Sequence, residues 1–260
     1  MVGLEVNGNG LTFVTGFNWA GSGDAINCVA RGCTNSGFVG GLLLDCRATA
    51  NQTGGAGFTN TVSCVQCTAD ANSVPGFATT TTTTWEYCLS VNNTGSVGHG
   101  FTMGGSGVVS QCTAFGNQGD GFQAAATAGS PLWVNCLSVA NTGYGFCGAG
   151  TYAKLVHCYA FNNSLGDFAS DVGSALMNLV WSDNRVSLTA NPFRNPSQGD
   201  FRLNTVAGGG ALCQGAGWPG SVPGFVNTTQ VLGIGAVQQL LSSLVQRRQF
   251  MRRLGRRRRR

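Results

Sequence analysis

The sequence predicts an all-β solenoid: parallel coils stacked on one another, followed by a short basic helix and tail. Three observations carry that prediction. The phrase CTAFGNQGDGF, Cys112 to Phe122, is written again as CLSVANTGYGF from Cys136 and as CTADANSVPGF from Cys67. Gly is 41 of 260 residues and charged residues are only 10%, which argues against both a helical bundle and a charge-rich disordered chain. Hydrophobic residues at 42% are enough for a continuous core, yet no apolar run approaches the ~20 residues of a membrane span.

Seven cysteines mark the register: Cys28, Cys46, Cys67, Cys88, Cys112, Cys136 and Cys158, in steps of 18, 21, 21, 24, 24 and 22 residues. Those steps are the period of a repeat array. Around each Cys the pattern is short and alternating, as in LLLDCRA, VVSQCTA and KLVHCYA, which is strand periodicity with one buried face. Two positions on stands Ala30, Ala48, Ala69, Ser90, Ala114, Ser138 or Ala160, always small, so the Cys and this residue are both expected to point inward. Five positions on stands Asn51, Asn72, Asn93, Asn117, Asn141 or Asn163, with Cys33 the single substitute. Asn tolerates the left-handed backbone and bonds neighbouring backbone groups, so this column is expected at a turn, stacked into a ladder. Ten positions on, in five of the seven units, comes Phe38, Phe77, Phe122, Phe146 or Phe168; Phe58 and Phe101 are displaced by two and three residues. The Gly before most of these Phe residues is expected to permit a second bend, with the Phe filling the core. A unit of about 22 residues cannot bury its own face, whereas a stack of about seven to nine can.

The repeated C-x-[AS]-x-x-N and G-F columns, over roughly residues 1–210, resemble the right-handed parallel β-helix repeat proteins of the pectin-lyase-like group. A further likeness lies in NPFRNPSQGDFRLN, Asn191 to Asn204, and IGAVQ, Ile234 to Gln238, phrases similar to those that close such solenoids. The resemblance implies a single-stranded right-handed parallel β-helix over residues 1–235, with 170–235 as irregular closing coils that cap the open end. Beyond it, Val237, Leu240, Leu241, Leu244 and Val245 follow helical spacing and lead into QRRQFMRRLGRRRRR, so 236–260 read as an amphipathic helix and an Arg-rich tail.

The resemblance also implies chemistry on acidic polysaccharides. Polygalacturonases of that fold carry N-T-D, D-D, G-H-G and R-I-K motifs, and only Gly98-His99-Gly100 matches here; Asn93-Thr94-Gly95 has Gly where the acid belongs. Acid/base glycoside hydrolysis needs two carboxylates placed together. Asp45 and His157 stand five coils apart, and Asp120 and Asp167 read as solvated turn acids. The Cys column reads as small buried hydrophobes, so neither metal nor cofactor is expected. The run Thr79 to Thr84 reads as a β-prone connection in one coil. The expectation is a non-catalytic β-solenoid presenting a carbohydrate-binding or adhesive surface, with a polysaccharide lyase or glycoside hydrolase as the alternative.

Counting back three residues from the Cys gives Trp85 in one coil and Trp133 two coils later. Strict alternation sends both outward, ~9.6 Å apart at the spacing of two strands, a platform for the flat face of a sugar with Tyr87 and His157 beside it. Charge divides the chain in two. Residues 1–246 carry Lys154 and five Arg against ten Asp and Glu, a net of −4, and residues 247–260 carry nine Arg and no acid, a net of +9. The tail residues Arg247, Arg248, Arg252, Arg253, Arg256, Arg257, Arg258, Arg259 and Arg260 are therefore a candidate polyanion-binding element. The start, MVGLEVNGNG, lacks the regions of a signal peptide and reads as though it begins inside a strand. The expected setting is extracellular, on a surface or particle.

Overall fold

Two residues in every coil adopt the left-handed backbone region, and they set the cross-section. The first stands immediately before the register Cys: Asn27, Asp45, Gln66, Tyr87, Gln111, Asn135 and His157 have φ between 49° and 57°. The second stands immediately before the ladder position: Gly32, Ala50, Ala71, Asn92, Gly116, Ala140 and Asn162 have φ between 52° and 64°. Each non-Gly residue held there costs on the order of 1–2 kcal/mol. The coil above repays this, since the same residues still donate along the stack, as in Asp45 N–H to the Val65 carbonyl (2.9 Å) and Tyr87 N–H to that of Ser110 (3.0 Å). The turn conformation thus belongs to the residue before the Asn, not to the Asn itself.

These corners divide each coil into three short strands. The computed structural model describes residues 1–8, 15–19, 23–52, 55–95, 97–125, 129, 131–148, 153–170, 185–214 and 216. Within them the strands assemble into a nine-, an eight- and a seven-stranded sheet, every pair parallel, plus one two-stranded antiparallel pair. One coil runs Thr83–Glu86, then Leu89–Val91, then Phe101–Met103, and these belong in turn to the seven-, nine- and eight-stranded sheets. The register is the sequence repeat: Ala48 pairs with Ala69 and Ala69 with Ser90, while Phe77 pairs with Phe58 and Phe101. The chain is a parallel β-solenoid of about seven turns.

The interior is a set of columns. Phe17, Phe38, Phe58, Phe77, Phe101, Phe122, Phe146 and Phe168 stack ring on ring, with centroids 4.6–5.4 Å apart and interplanar angles of 5–12°. The coil rise equals a strand spacing, which leaves adjacent rings no other fit. The Gly before every Phe of the column except Phe168 serves close approach rather than a bend. A Cβ on Gly37 would meet the Gly57 carbonyl oxygen at 2.8 Å and Asn51 Nδ2 at 2.9 Å, and one on Gly100 would meet the Gly121 carbonyl oxygen at 2.5 Å.

The tryptophan platform is corrected by the same geometry. The position three before the Cys is Ala25, Leu43, Cys64, Trp85, Val109, Trp133 or Leu155, and all seven are fully buried. The left-handed residue before the Cys is a corner that consumes one position, so strict alternation counted back through it gives the wrong face. Trp85 lies against Phe77 and Phe101 at 5.6 and 5.7 Å and donates its Nε1–H to Thr61 Oγ1 (3.1 Å). Trp133 lies against Phe122 and Phe146 at 6.2 and 5.9 Å. Both rings fill core.

Arg185–Ser187 adds the last strand of the nine-stranded sheet. The chain then forms an antiparallel hairpin, Phe193–Asn195 with Asp200–Leu203, and a short helix, Gly210–Cys213. This unit packs on the outer face of the nine-stranded sheet, where Phe193, Phe201, Leu203 and Cys213 join Val91, Phe115, Leu137, Val139 and Tyr159 in one apolar cluster. Phe115 meets Phe201 and Phe193 edge-on at 5.1 and 5.8 Å. The rest of the expected closing region, the helix of 236–260 and the nine tail arginines lie outside the described residues.

Candidate functional site

The Asn column forms a continuous hydrogen-bonded ladder. Asn51, Asn72, Asn93, Asn117 and Asn141 each donate Nδ2–H to the Oδ1 of the next Asn, at 2.7–2.9 Å, ending on Asn163. Each backbone N–H in the column also donates to that same oxygen at 3.0–3.1 Å, with Cys33 N–H standing in for the first rung. All the dipoles therefore point one way. The last donor, Asn163 Nδ2–H, meets the Asp167 carboxylate at 2.9 Å, so a negative charge closes the positive end, the same logic that places acids at a helix N-terminus. Asp167 is thus a ladder cap, not a solvated turn acid. Next to it, the Arg185 guanidinium lies 5.8 Å from the Phe168 ring centroid and covers the end of the aromatic stack.

The cysteines are equally committed to the wall. All eleven are free thiols and ten are buried. At the register corner the thiol reaches a carbonyl two residues back, as in Cys112 to Ser110 (3.3 Å) and Cys136 to Val134 (3.5 Å), and another in the preceding coil, as in Cys136 to Val109 (3.3 Å). Burial pushes the thiols of Cys64, Cys67, Cys88, Cys112 and Cys136 up, so they remain protonated donors. Among the described residues no three His, Cys, Asp or Glu side chains lie together as a metal ion requires.

The Gly98-His99-Gly100 motif is built into a turn. Asp120 N–H donates to His99 Nδ1 at 2.8 Å, and Asp120 Oδ2 lies 3.5 Å from the same nitrogen. The other carboxylate oxygen accepts the Tyr144 N–H at 2.7 Å, and Gln123 Nε2–H reaches Oδ2 at 3.3 Å. Burial outweighs the neighbouring carboxylate and lowers the His99 pKa, so the imidazole is neutral. Asp120 is buried and fully engaged, which sets it apart from a solvated turn acid.

Of the predicted carbohydrate residues, Trp85 and Trp133 are in the core, whereas Tyr87 and His157 are half-buried at the left-handed corners of two coils. The structure does not bring the four together on one face. Among the described residues, what is uncovered instead is the outer wall of the first coils. Arg31 and Arg47 are exposed there and pair with acids of the neighbouring strand, Arg31 with Glu5 at 2.7 Å and Arg47 with Asp70 at 2.6 Å. Beside them, Asn7, Arg31, Gly32, Ala50 and Gln52 line an open groove of about 450 Å³. Sequence reasoning missed this wall, although its signal was present: the residues one and three after each Cys face outward and run Val29/Arg31, Arg47/Thr49, Thr68/Asp70, then Leu89/Val91, Thr113/Phe115, Leu137/Val139 and Tyr159/Phe161.

Fold and wall together define a parallel β-solenoid repeat protein in which His99, Asp120, Asp167 and the register cysteines bond the wall itself and, among the described residues, part of the outer wall is uncovered. Comparison with known protein families, with curated proteins and with solved structures finds no match. Among the described residues no helix is long and apolar enough to cross a membrane.

Proposed function

We propose that this chain is a non-catalytic, surface-associated β-solenoid that presents a carbohydrate-binding or adhesive face, and that the face is the open wall of the first coils. The observation that supports this reading is the groove lined by Asn7, Arg31 and Gln52 on the solenoid wall, with two side-chain amides and a guanidinium that pairs with Glu5 at its edge. Amide and guanidinium groups on a preorganised surface suit the hydroxyls and carboxylates of an acidic polysaccharide, because little entropy is lost in fixing them. The likeness of the repeat columns to pectin-lyase-like solenoids favours the same partner class. The Arg247–Arg260 tail adds a second, salt-sensitive attraction to polyanions.

A polysaccharide panel scored for both retention and product release tests the proposal. The parent is expected to retain an acidic glycan without cleaving it. The double variant Arg31→Ala, Gln52→Ala is expected to lose at least about tenfold in affinity, the equivalent of one charge-assisted contact, with its unfolding transition unchanged. Release of shortened product sinks the non-catalytic reading and favours the lyase or hydrolase. Unaltered retention in the double variant removes the groove from the site.

A further inference from the structure

The turn that carries His99 links three consecutive coils in series, the imidazole holding Asp120 and the Asp120 carboxylate holding Tyr144. His99 belongs to the coil of Cys88, Asp120 to that of Cys112 and Tyr144 to that of Cys136. His99 Nδ1 accepts the Asp120 N–H, and Asp120 Oδ1 accepts the Tyr144 N–H. The His99 carbonyl accepts the Gly76 N–H from the coil before (3.0 Å). An Nδ1 that accepts a backbone N–H must be unprotonated, which fixes the Nε2–H tautomer. The ring lies directly against Gly119, where a Cβ would meet Nδ1 at 2.6 Å, so only Gly fits beside it.

We propose that His99, Asp120 and the Tyr144 amide form an acid-sensitive staple that ties three coils at neutral pH and loosens their shared edge when His99 takes up a proton. A proton on Nδ1 faces the Asp120 N–H head-on, so the 2.8 Å bond must break before the charged ring finds an acceptor. Asp120 is the charged group that faces the ring among the described residues. The preceding coil meets this residue through the Gly76 N–H on its carbonyl, and the following coil sets Gly119 against the ring beside Asp120. The Asp120 carboxylate attracts the imidazolium and opposes the effect, but it already holds the Tyr144 N–H and Gln123, and burial of the ring outweighs it.

The sign follows from a folded-state pKa below the unfolded one. The unfolded chain binds the proton first, so this contribution to stability is complete above the ordinary His value of about 6.5 and is lost as pH falls below it. The loss levels off once the folded-state His99 has also titrated. Its size is roughly tenfold in local opening for each unit by which the imidazole is depressed.

The chain has two His, so His157→Gln leaves His99 as the single imidazole for an NMR titration. His99 is expected to titrate below 6.5, and exchange protection of the Asp120 and Tyr144 amides, corrected for intrinsic rate, is expected to fall between pH 7 and pH 5. His99→Asn keeps an acceptor near the place of Nδ1 without a titrating group, and is expected to hold that protection across the same range. Titration of His99 at or above 6.5 overturns the proposal. So does equal protection of the two amides at both pH values in the parent, or the same acid loss in His99→Asn.

Discussion

The outer wall of the nine-stranded sheet has two halves laid on the same backbone. In the first three coils its outward positions hold Arg31, Arg47, Thr49, Thr68 and Asp70, cross-strand ion pairs run between coils, and no described segment covers the wall. In the later coils the equivalent positions hold Val91, Phe115, Leu137, Val139 and Tyr159, and the hairpin of Phe193 to Leu203 lies over them. Inside, the Cys, small and Phe columns run through both halves, and so does the Asn column once Cys33 has stood in for its first rung. The inward code therefore builds the coil, and the outward residues decide separately what each stretch of wall contacts. Asp70 and Val91 show this most directly, because they are register partners on adjacent strands with opposite surroundings.

Removing an anchor of the cover is the largest break. Phe201 is buried between Phe115 and Phe193, so Phe201→Ala is expected to cost about 3–5 kcal/mol in a denaturant titration and to expose the hairpin amides to exchange. A cost below about 1 kcal/mol would show that the hairpin merely rests on the wall. Exchanging the characters of the register partners is the next test. Val91→Asp places a carboxylate under the hairpin and is expected to cost about 3 kcal/mol. Asp70→Val on the open half loses only an exposed ion pair and is expected to stay within about 1 kcal/mol. Equal effects of the two substitutions would erase the distinction between the halves. The smallest of the three tests addresses what the halves share. Asn117→Leu leaves the Asn93 amide and backbone N–H without their acceptor and is expected to cost about 1–3 kcal/mol by thermal unfolding, with the hairpin still docked. An unchanged midpoint would mean that the ladder adds nothing to the stack.

Much of the interior was legible in the sequence because each coil repeats it. The position two after Cys is small in every unit, and the structure packs it directly beneath the Gly of the Phe strand. The Phe column declares itself by spacing, and parallel register does the rest. The Trp85 and Trp133 platform failed for one physical reason: parity holds along a strand but not across a left-handed corner. Asn27, Asp45, Asn135 and His157 at that corner are types that favour the left-handed region, but Gln66, Tyr87 and Gln111 are not, so residue preference marks it only in part. The roles of Asp120 and Asp167 were hidden for a different reason, since their partners lie in other coils or at the end of a ladder whose direction the sequence does not state.

By itself the sequence determined the repeat, its period, the inward columns and the mild acidity of the body against the basic tail. These are local or periodic properties, and a stack of identical backbones copies a local choice into every coil. Only the tertiary structure decided which way position minus three faces, that a carboxylate and a guanidinium close the two interior columns, and that Asn191 to Leu203 folds back along the wall. Each of those depends on contacts between residues far apart in the chain, where geometry rather than residue preference selects the partner.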